Sequence, residues 1–249
     1  MKSVFVIWKD SEDGMWHPVA KLTRSEDGYR FYYTKGANNK NFIAFPRMDD
    51  LAKVYHSASM FSFFTNRLIP TNRPEFKMML EWSDIHAQGY DELDLLGVSG
   101  GARKTDEFRI IPEPEVTLSG LYKIRFFISG VRYLTAEGAD RVKKLEEGEE
   151  LTLVYEDTNL HDCKAILVAT KDNVPVGYCP KYFNCDIRAL LEDPKLSSHS
   201  LRVVKVNQDA PSQFRVLCEF VTRWPKGFSP LVSEEYLTYT SLSNAKECN

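Results

Sequence analysis

Arg132 and Tyr133 are adjacent in the second half of the chain, a cation beside a flat ring. An aromatic face can stack on a nucleobase while a neighbouring guanidinium contacts the backbone phosphates. Other chemistry-bearing patterns fail on spacing. Gly97-Val98-Ser99-Gly100-Gly101-Ala102-Arg103-Lys104-Thr105 resembles a phosphate loop only loosely. Such a loop needs glycine directly before the lysine so that the backbone can wrap phosphate oxygens, and Arg103 stands there instead. No apolar strand precedes it, so the segment reads as a glycine-rich turn. The histidines, His17, His56, His86, His161 and His199, form no H-E-x-x-H or other metal spacing. His161 and Cys163 supply the residue types of a thiol nucleophile, but near neighbours in sequence rarely meet in that geometry. Glu146-Glu147 and Glu149-Glu150 sit at a turn and read as solvated surface. These patterns imply no enzyme active site, no cofactor and no metal.

The elements that position such residues are mostly short strands. Ser3–Trp8, Val19–Leu22 and Tyr29–Thr34 are rich in β-branched and aromatic residues and are separated by polar turns. Pro74 suits a first helical position, with Phe76, Met79 and Leu80 on one face. A second helix is expected around Asp91–Leu96, stopping at Gly97. After it, Ile111-Pro112-Glu113-Pro114-Glu115 cannot continue a helix or a central strand, and a boundary is expected at about 112–120. The second half predicts strands at Leu121–Ile128, Leu151–Tyr155, Ala165–Ala169, Val174–Tyr178, Leu201–Val206 and Phe214–Thr222. Helices are expected from a Thr135 cap to about Leu145 and over Tyr182–Leu191. Many short strands with a few helices point to a small barrel with helical insertions.

The 249 residues carry 43% hydrophobic and 27% charged side chains, which excludes disorder, collagen and coiled coil. A formal charge of −3 excludes a globally basic DNA-coating protein but not a local basic face. No apolar run approaches the length of about 18 residues that a spanning helix needs. The five cysteines are Cys163, Cys179, Cys185, Cys218 and Cys248, odd in number and without a C-x-x-C pair. A disulfide framework or structural zinc is therefore not expected, and the cytoplasm fits best.

Three segments of the second half carry a resemblance. They are Gly130-Val131-Arg132-Tyr133, then Glu156-Asp157-Thr158-Asn159-Leu160-His161-Asp162-Cys163-Lys164-Ala165-Ile166, then Val176-Gly177-Tyr178-Cys179-Pro180-Lys181. In order and spacing they resemble the HIRAN domain over about residues 121–224. Asp157 and Leu160 replace prolines that the family favours, and Lys164 replaces an asparagine. The resemblance implies an OB-like barrel. In its helicase-associated members it implies capture of the 3′ end of single-stranded DNA. Carried over, Tyr133 stacks on a base with Arg132 on phosphate, and His161 retains a flat ring where those members have an aromatic residue. Asp162 accepts the terminal hydroxyl, Lys181 contacts the backbone, and Phe214 offers a second stacking surface. A carboxylate suits its role because it accepts from a hydroxyl and repels a phosphate. The same residues admit plainer roles: Tyr133 as barrel core, Arg132 as an ion-pair partner, Asp162 as a turn cap, Lys181 as a surface lysine.

In the first half, Val19–Thr23, Gly28–Tyr33, Pro46 and Phe61–Pro70 resemble the opening subdomain of HipA-type toxin kinases over about residues 1–111. No kinase core follows, so this resemblance implies fold and protein contact, not phosphoryl transfer. The expectation is an α+β, mostly β chain of two β-rich modules, residues 1–118 and 119–249. It is non-enzymatic and binds single-stranded DNA ends without a membrane association. The alternative is a regulatory subunit that docks a partner such as a HipA-like kinase.

Overall fold

The N-terminal apolar run is buried on both faces, and the structure shows why it does not alternate. In the computed structural model, which describes residues 2–103, 105–196 and 198–239, it forms strand β1 (Lys2–Lys9). β1 lies inside a five-stranded antiparallel sheet. The other strands are β2 (Trp16–Ser25), β3 (Gly28–Tyr33), β4 (Tyr55–Ser57) and β5 (Phe108–Pro112), in the order β4-β3-β2-β1-β5. Val4 and Val6 face a core with Leu22, Phe31, Tyr33 and Phe64. Phe5 points the other way and meets the edge of Tyr236 at 5.0 Å. Pro112 ends an edge strand, where its missing N–H leaves no ladder bond unmade.

Helices α1 (Ser62–Thr65), α2 (Pro74–Trp82) and α3 (Glu92–Ser99) follow β4. The expected stop of α3 at Gly97 is corrected: the helix runs on to Ser99 and turns at Gly100, whose φ is +76°. Gly97 is a packing glycine, because a Cβ there would lie 3.1 Å from the Pro112 ring. The glycine-rich turn beyond it closes over Arg67, whose guanidinium donates to the Gly101 carbonyl at 3.1 Å, pairs with Asp106 and lies 4.1 Å over Phe63.

The second sheet has the order β6-β11-β10-β7-β8-β9 and is antiparallel throughout. Its strands are β6 (Leu121–Phe127), β7 (Glu150–Tyr155), β8 (Ile166–Thr170), β9 (Pro175–Tyr178), β10 (His199–Val206) and β11 (Val216–Arg223). The two end strands meet: Ser129, just past β6, exchanges backbone hydrogen bonds of 2.9 Å in both directions with Tyr178 of β9. The sheet thus curls into an OB-like barrel around Tyr122, Ile124, Phe126, Val168, Phe183, Ile187 and Phe220. Gly177 makes this closure possible. Its φ is +139°, and a Cβ would sit 2.2 Å from Ile128 Cγ2 and 2.6 Å from the Ser129 carbonyl oxygen. Helices α4 (Ala136–Lys143) and α5 (Asn184–Leu191) complete it, and the Thr135 hydroxyl caps α4 by accepting from Gly138 N–H.

Further expected boundaries shift in the second half. The helix predicted over Tyr182–Leu191 divides into a 3-10 turn, Lys181–Phe183, and α5 proper. Phe214 is not in a strand but ends the 3-10 turn Ser212–Phe214, because Asn207 captures its carbonyl at 2.8 Å before β11 begins. Among the described residues the chain forms two compact units. One takes residues up to Phe76, Gly89–Glu113 and those from Val232; the other takes Lys77–Gln88 and Pro114–Leu231. The chain therefore passes between units at Glu113/Pro114, with two further segments outside a linear division at 118/119.

Candidate functional site

The Arg132-Tyr133 pair sits on a tight turn set by glycine. Gly130 has φ +77°, and a Cβ on it would press within 3.1 Å of the Tyr178 ring. Tyr133 N–H donates back to the Gly130 carbonyl at 2.9 Å, closing the 3-10 turn Val131–Tyr133. Tyr133 is 76% exposed, so it is not barrel core. The Arg132 guanidinium lies 4.6 Å from the centre of the Tyr133 ring, within cation–π range. No carboxylate among the described residues pairs with Arg132. The turn therefore presents a ring and a cation as one exposed unit.

The loop between β7 and β8 carries the acid. Asn159 organises it: its Oδ1 accepts from His161 N–H at 2.9 Å and Asp162 N–H at 3.2 Å, and its Nδ2 donates to Glu156 at 2.5 Å. This is the side-chain-to-backbone bonding that makes Asn and Asp turn residues. Asp162 Oδ1 then accepts from Lys164 N–H at 3.0 Å, so Asp162 does cap a turn. Its Oδ2 accepts from the amide of Asn184 on α5 at 2.8 Å. Arg188, also on α5, donates to the carbonyls of Lys164 and Ala165 and pairs with Asp157 at 2.6 Å. The loop is thus sewn to a helix rather than left hanging.

Tyr178 links the two features. Its backbone closes the barrel beside Gly130, and its hydroxyl meets Glu156 and Asn159 at the root of the acidic loop. Burial, with the Glu156 carboxylate beside it, pushes that hydroxyl above its ordinary value. His161 is exposed on the same loop, and its carbonyl accepts from Lys181 Nζ at 3.4 Å. His161, Asp162 and Lys181 are therefore brought together on one loop region, while Gly130, which sets the Arg132–Tyr133 turn, packs against the Tyr178 ring. Phe214 lies on a turn next to Val131–Tyr133. Its ring is already engaged: Trp82 stacks on it at 5.8 Å and Phe127 meets it edge-on at 5.2 Å.

Sequence reasoning missed Tyr178 and Asn184 as members of this constellation. Tyr178 stands inside the quoted Val-Gly-Tyr segment, and the preceding Gly177 was the available signal of close backbone approach. Asn184 had none, since its partner lies 22 residues away. Cys163 is exposed, and no hydrogen bond joins it to His161 among the described residues. Burial pushes the Cys179 and Cys218 thiols up, away from reactivity. Asp10, Asp13 and His17 bring ligand-type atoms within 4.8 Å of one another. Those atoms are already spent: Asp10 accepts from Glu12 N–H, Asn39 and Asn41, and His17 bonds Asp13 and Glu235.

The curled six-stranded barrel thus carries an exposed ring and cation on one turn and an acid with a second cation on its β7–β8 loop side. Residues 121–225 match the family model of the HIRAN domain, and this part of the chain is a HIRAN domain. The chain is similar to a crystallised protein from Lactobacillus plantarum, at 22% identity and a TM-score of 0.32, covering 41% of this chain and 97% of that one. It is also similar to the HIRAN domain of human HLTF, at 16% identity and a TM-score of 0.33, covering 43% of this chain and 81% of that one. No curated protein matches the chain. The family match leaves out the first 120 residues.

Proposed function

We propose that the HIRAN domain of this chain binds DNA, and that it prefers the 3′ end of a single strand. The observation that carries the reading is the exposed Arg132–Tyr133 unit, paired with no acid among the described residues and rooted beside the Asp162 loop. Tyr133 stacks on a base near the end, and Arg132 contacts the phosphate that follows it. Lys181 and His161 act from the Asp162 loop, the lysine on a second phosphate and the imidazole against the terminal sugar or base. Asp162 accepts the hydrogen of the terminal 3′-hydroxyl. An internal nucleotide has a phosphate in that place, which the carboxylate repels. The domain acts by binding and performs no chemistry of its own. Phe214 supports the Tyr133 turn and offers a base at most one face, because Trp82 stacks on the other.

Fluorescence anisotropy with oligonucleotides of one sequence ending in 3′-hydroxyl or 3′-phosphate tests the reading at fixed salt. Tighter binding of the hydroxyl form is expected, and Asp162→Asn should shrink the difference. Equal binding of both forms, or binding of neither, would refute it. Affinity should also fall with rising salt, as cations released from the strand return to it.

We also propose a second role for the first unit, which folds around its own core outside the HIRAN match. On this reading it docks a protein partner, such as a HipA-like kinase, and co-purification of such a partner from the native host is the test.

A further inference from the structure

Asn184 is the first residue of α5, and only 2% of it is exposed. Its Nδ2 donates to Asp162 Oδ2 at 2.8 Å, while its Oδ1 finds no donor among the described residues. A buried carbonyl without a donor carries a desolvation penalty. Packing alone does not call for asparagine here, since leucine would fill a similar volume without that penalty. What asparagine supplies is the single bond to Asp162. The other constraints on that residue come from its own loop: Lys164 N–H on Oδ1 at 3.0 Å, and Asn159 on its backbone N–H at 3.2 Å. Among the described residues, Asn184 is therefore the one anchor of the carboxylate that comes from outside the loop. An ionised carboxylate offers about four lone-pair sites, and these bonds occupy one on each oxygen, which leaves acceptor capacity on both.

We propose that Asn184 is a positioning residue that sets the preference for a terminal hydroxyl, by locking the rotation of Asp162 so that its outward lone pairs face the strand end. The inference rests on the 3′-end reading above. It assigns a selectivity role to a residue that no ligand touches. Without Asn184 the carboxylate turns toward water, and it then neither accepts well from a hydroxyl nor rejects a phosphate effectively.

The test uses the full chain with three proteins: wild type, Asn184→Leu and Asn184→Ala. Each is titrated with single-stranded oligonucleotides of one sequence ending in 3′-hydroxyl or 3′-phosphate, and each is melted to check folding. In the variants the hydroxyl-to-phosphate affinity ratio should fall about tenfold, the scale of losing one hydrogen bond to a charged group. Affinity for the 3′-phosphate strand should hold or rise, because the Arg132 and Lys181 contacts are untouched and the freed carboxylate repels the phosphate less. Asn184→Leu retains side-chain volume, and it decides the question if Asn184→Ala melts early. A ratio unchanged in a folded variant overturns the proposal. So does a parallel loss of affinity for both strands, which would make Asn184 structural only. Loss of discrimination in wild type would instead sink the 3′-end reading, and the proposal with it.

Discussion

Replacing Asp186 by asparagine probes the energetics of the second core directly. Asp186 is 3% exposed; its carboxylate accepts from Leu231 N–H at 2.9 Å and from the Tyr122 hydroxyl at 3.4 Å. No cation among the described residues joins it. Burial pushes its carboxyl from 3.8 up to about 6, and the two hydrogen bonds recover only part of the loss. The folded state therefore binds this proton more tightly than the unfolded chain does. Stability from this group is complete below the unfolded value of 3.8 and is lost as pH rises through about 6. Each pH unit between the two values is worth about 1.4 kcal/mol. The charged group then costs about 1.5 kcal/mol at about pH 5 and about 3 kcal/mol by about pH 8. An asparagine cannot ionise, so Asp186→Asn removes this slope while the new side-chain carbonyl still accepts from Leu231. Urea unfolding of both proteins across that range is the assay. The variant should gain about 1.5 kcal/mol on wild type between the two ends, or about 3–6 °C in melting temperature. His17, raised by its hydrogen bonds to Glu235 and Asp13 although burial opposes them, also loses stability as pH climbs. It is common to both proteins and cancels in the difference. Parallel pH profiles would show that Asp186 is not held as a costly buried acid, and the reasoning would fail.

Gly177→Ala should destabilise by about 2–4 kcal/mol, since the added Cβ meets Ile128 and the Ser129 carbonyl in a conformation that side chains rarely adopt; an unchanged thermal midpoint would show that the barrel does not close there. Tyr133→Ala should leave the melting temperature within a degree or so, because the ring is exposed, and weaken single-strand binding by about tenfold or more. Arg132→Ala should weaken binding and reduce the salt slope by about one counterion, and a salt titration with the wild-type slope would remove Arg132 from the site. Arg67→Met, which strips the cation from Asp106 and Phe63, should cost about 3 kcal/mol in urea unfolding.

What the sequence made legible was local. The β-branched runs at Ser3–Trp8 and Tyr29–Thr34 become strands because their neighbours in sequence already favour extension. Thr135 caps its helix as its type and place imply. The errors came where a distant partner overrules a local signal. Gly97 looks like a helix stop, yet it stays helical because Pro112 needs the space of its missing side chain. Phe214 has the composition of a strand start, yet Asn207 holds its carbonyl and delays the strand. The acidic loop divides the same way. Asn159 can be read as its organiser from turn chemistry alone, but the Asp162–Asn184 bond joins two segments whose meeting depends on how the barrel closes.

The small net charge bears on the proposed end recognition through the placement of a single carboxylate. A protein that tracks a strand non-specifically gains from every cation and loses from every acid along its groove. Asp162, on the loop that Lys181 contacts, would then oppose binding wherever the strand passes through. At an end the arithmetic changes, because the position facing Asp162 holds a hydroxyl and not a phosphate. The acid then contributes a hydrogen bond where it would otherwise repel. On that reading the two cations would hold the penultimate phosphates in either case, and so would position without discriminating. Selectivity for the end therefore requires the carboxylate to be both charged and aimed. The structure invests in aiming: Lys164 N–H holds one oxygen, Asn184 the other, and Asn159 the backbone beneath them. A turn needs only the bonds from Lys164 and Asn159. On the end-binding reading, the Asn184 bond is what converts a common turn residue into a discriminating one.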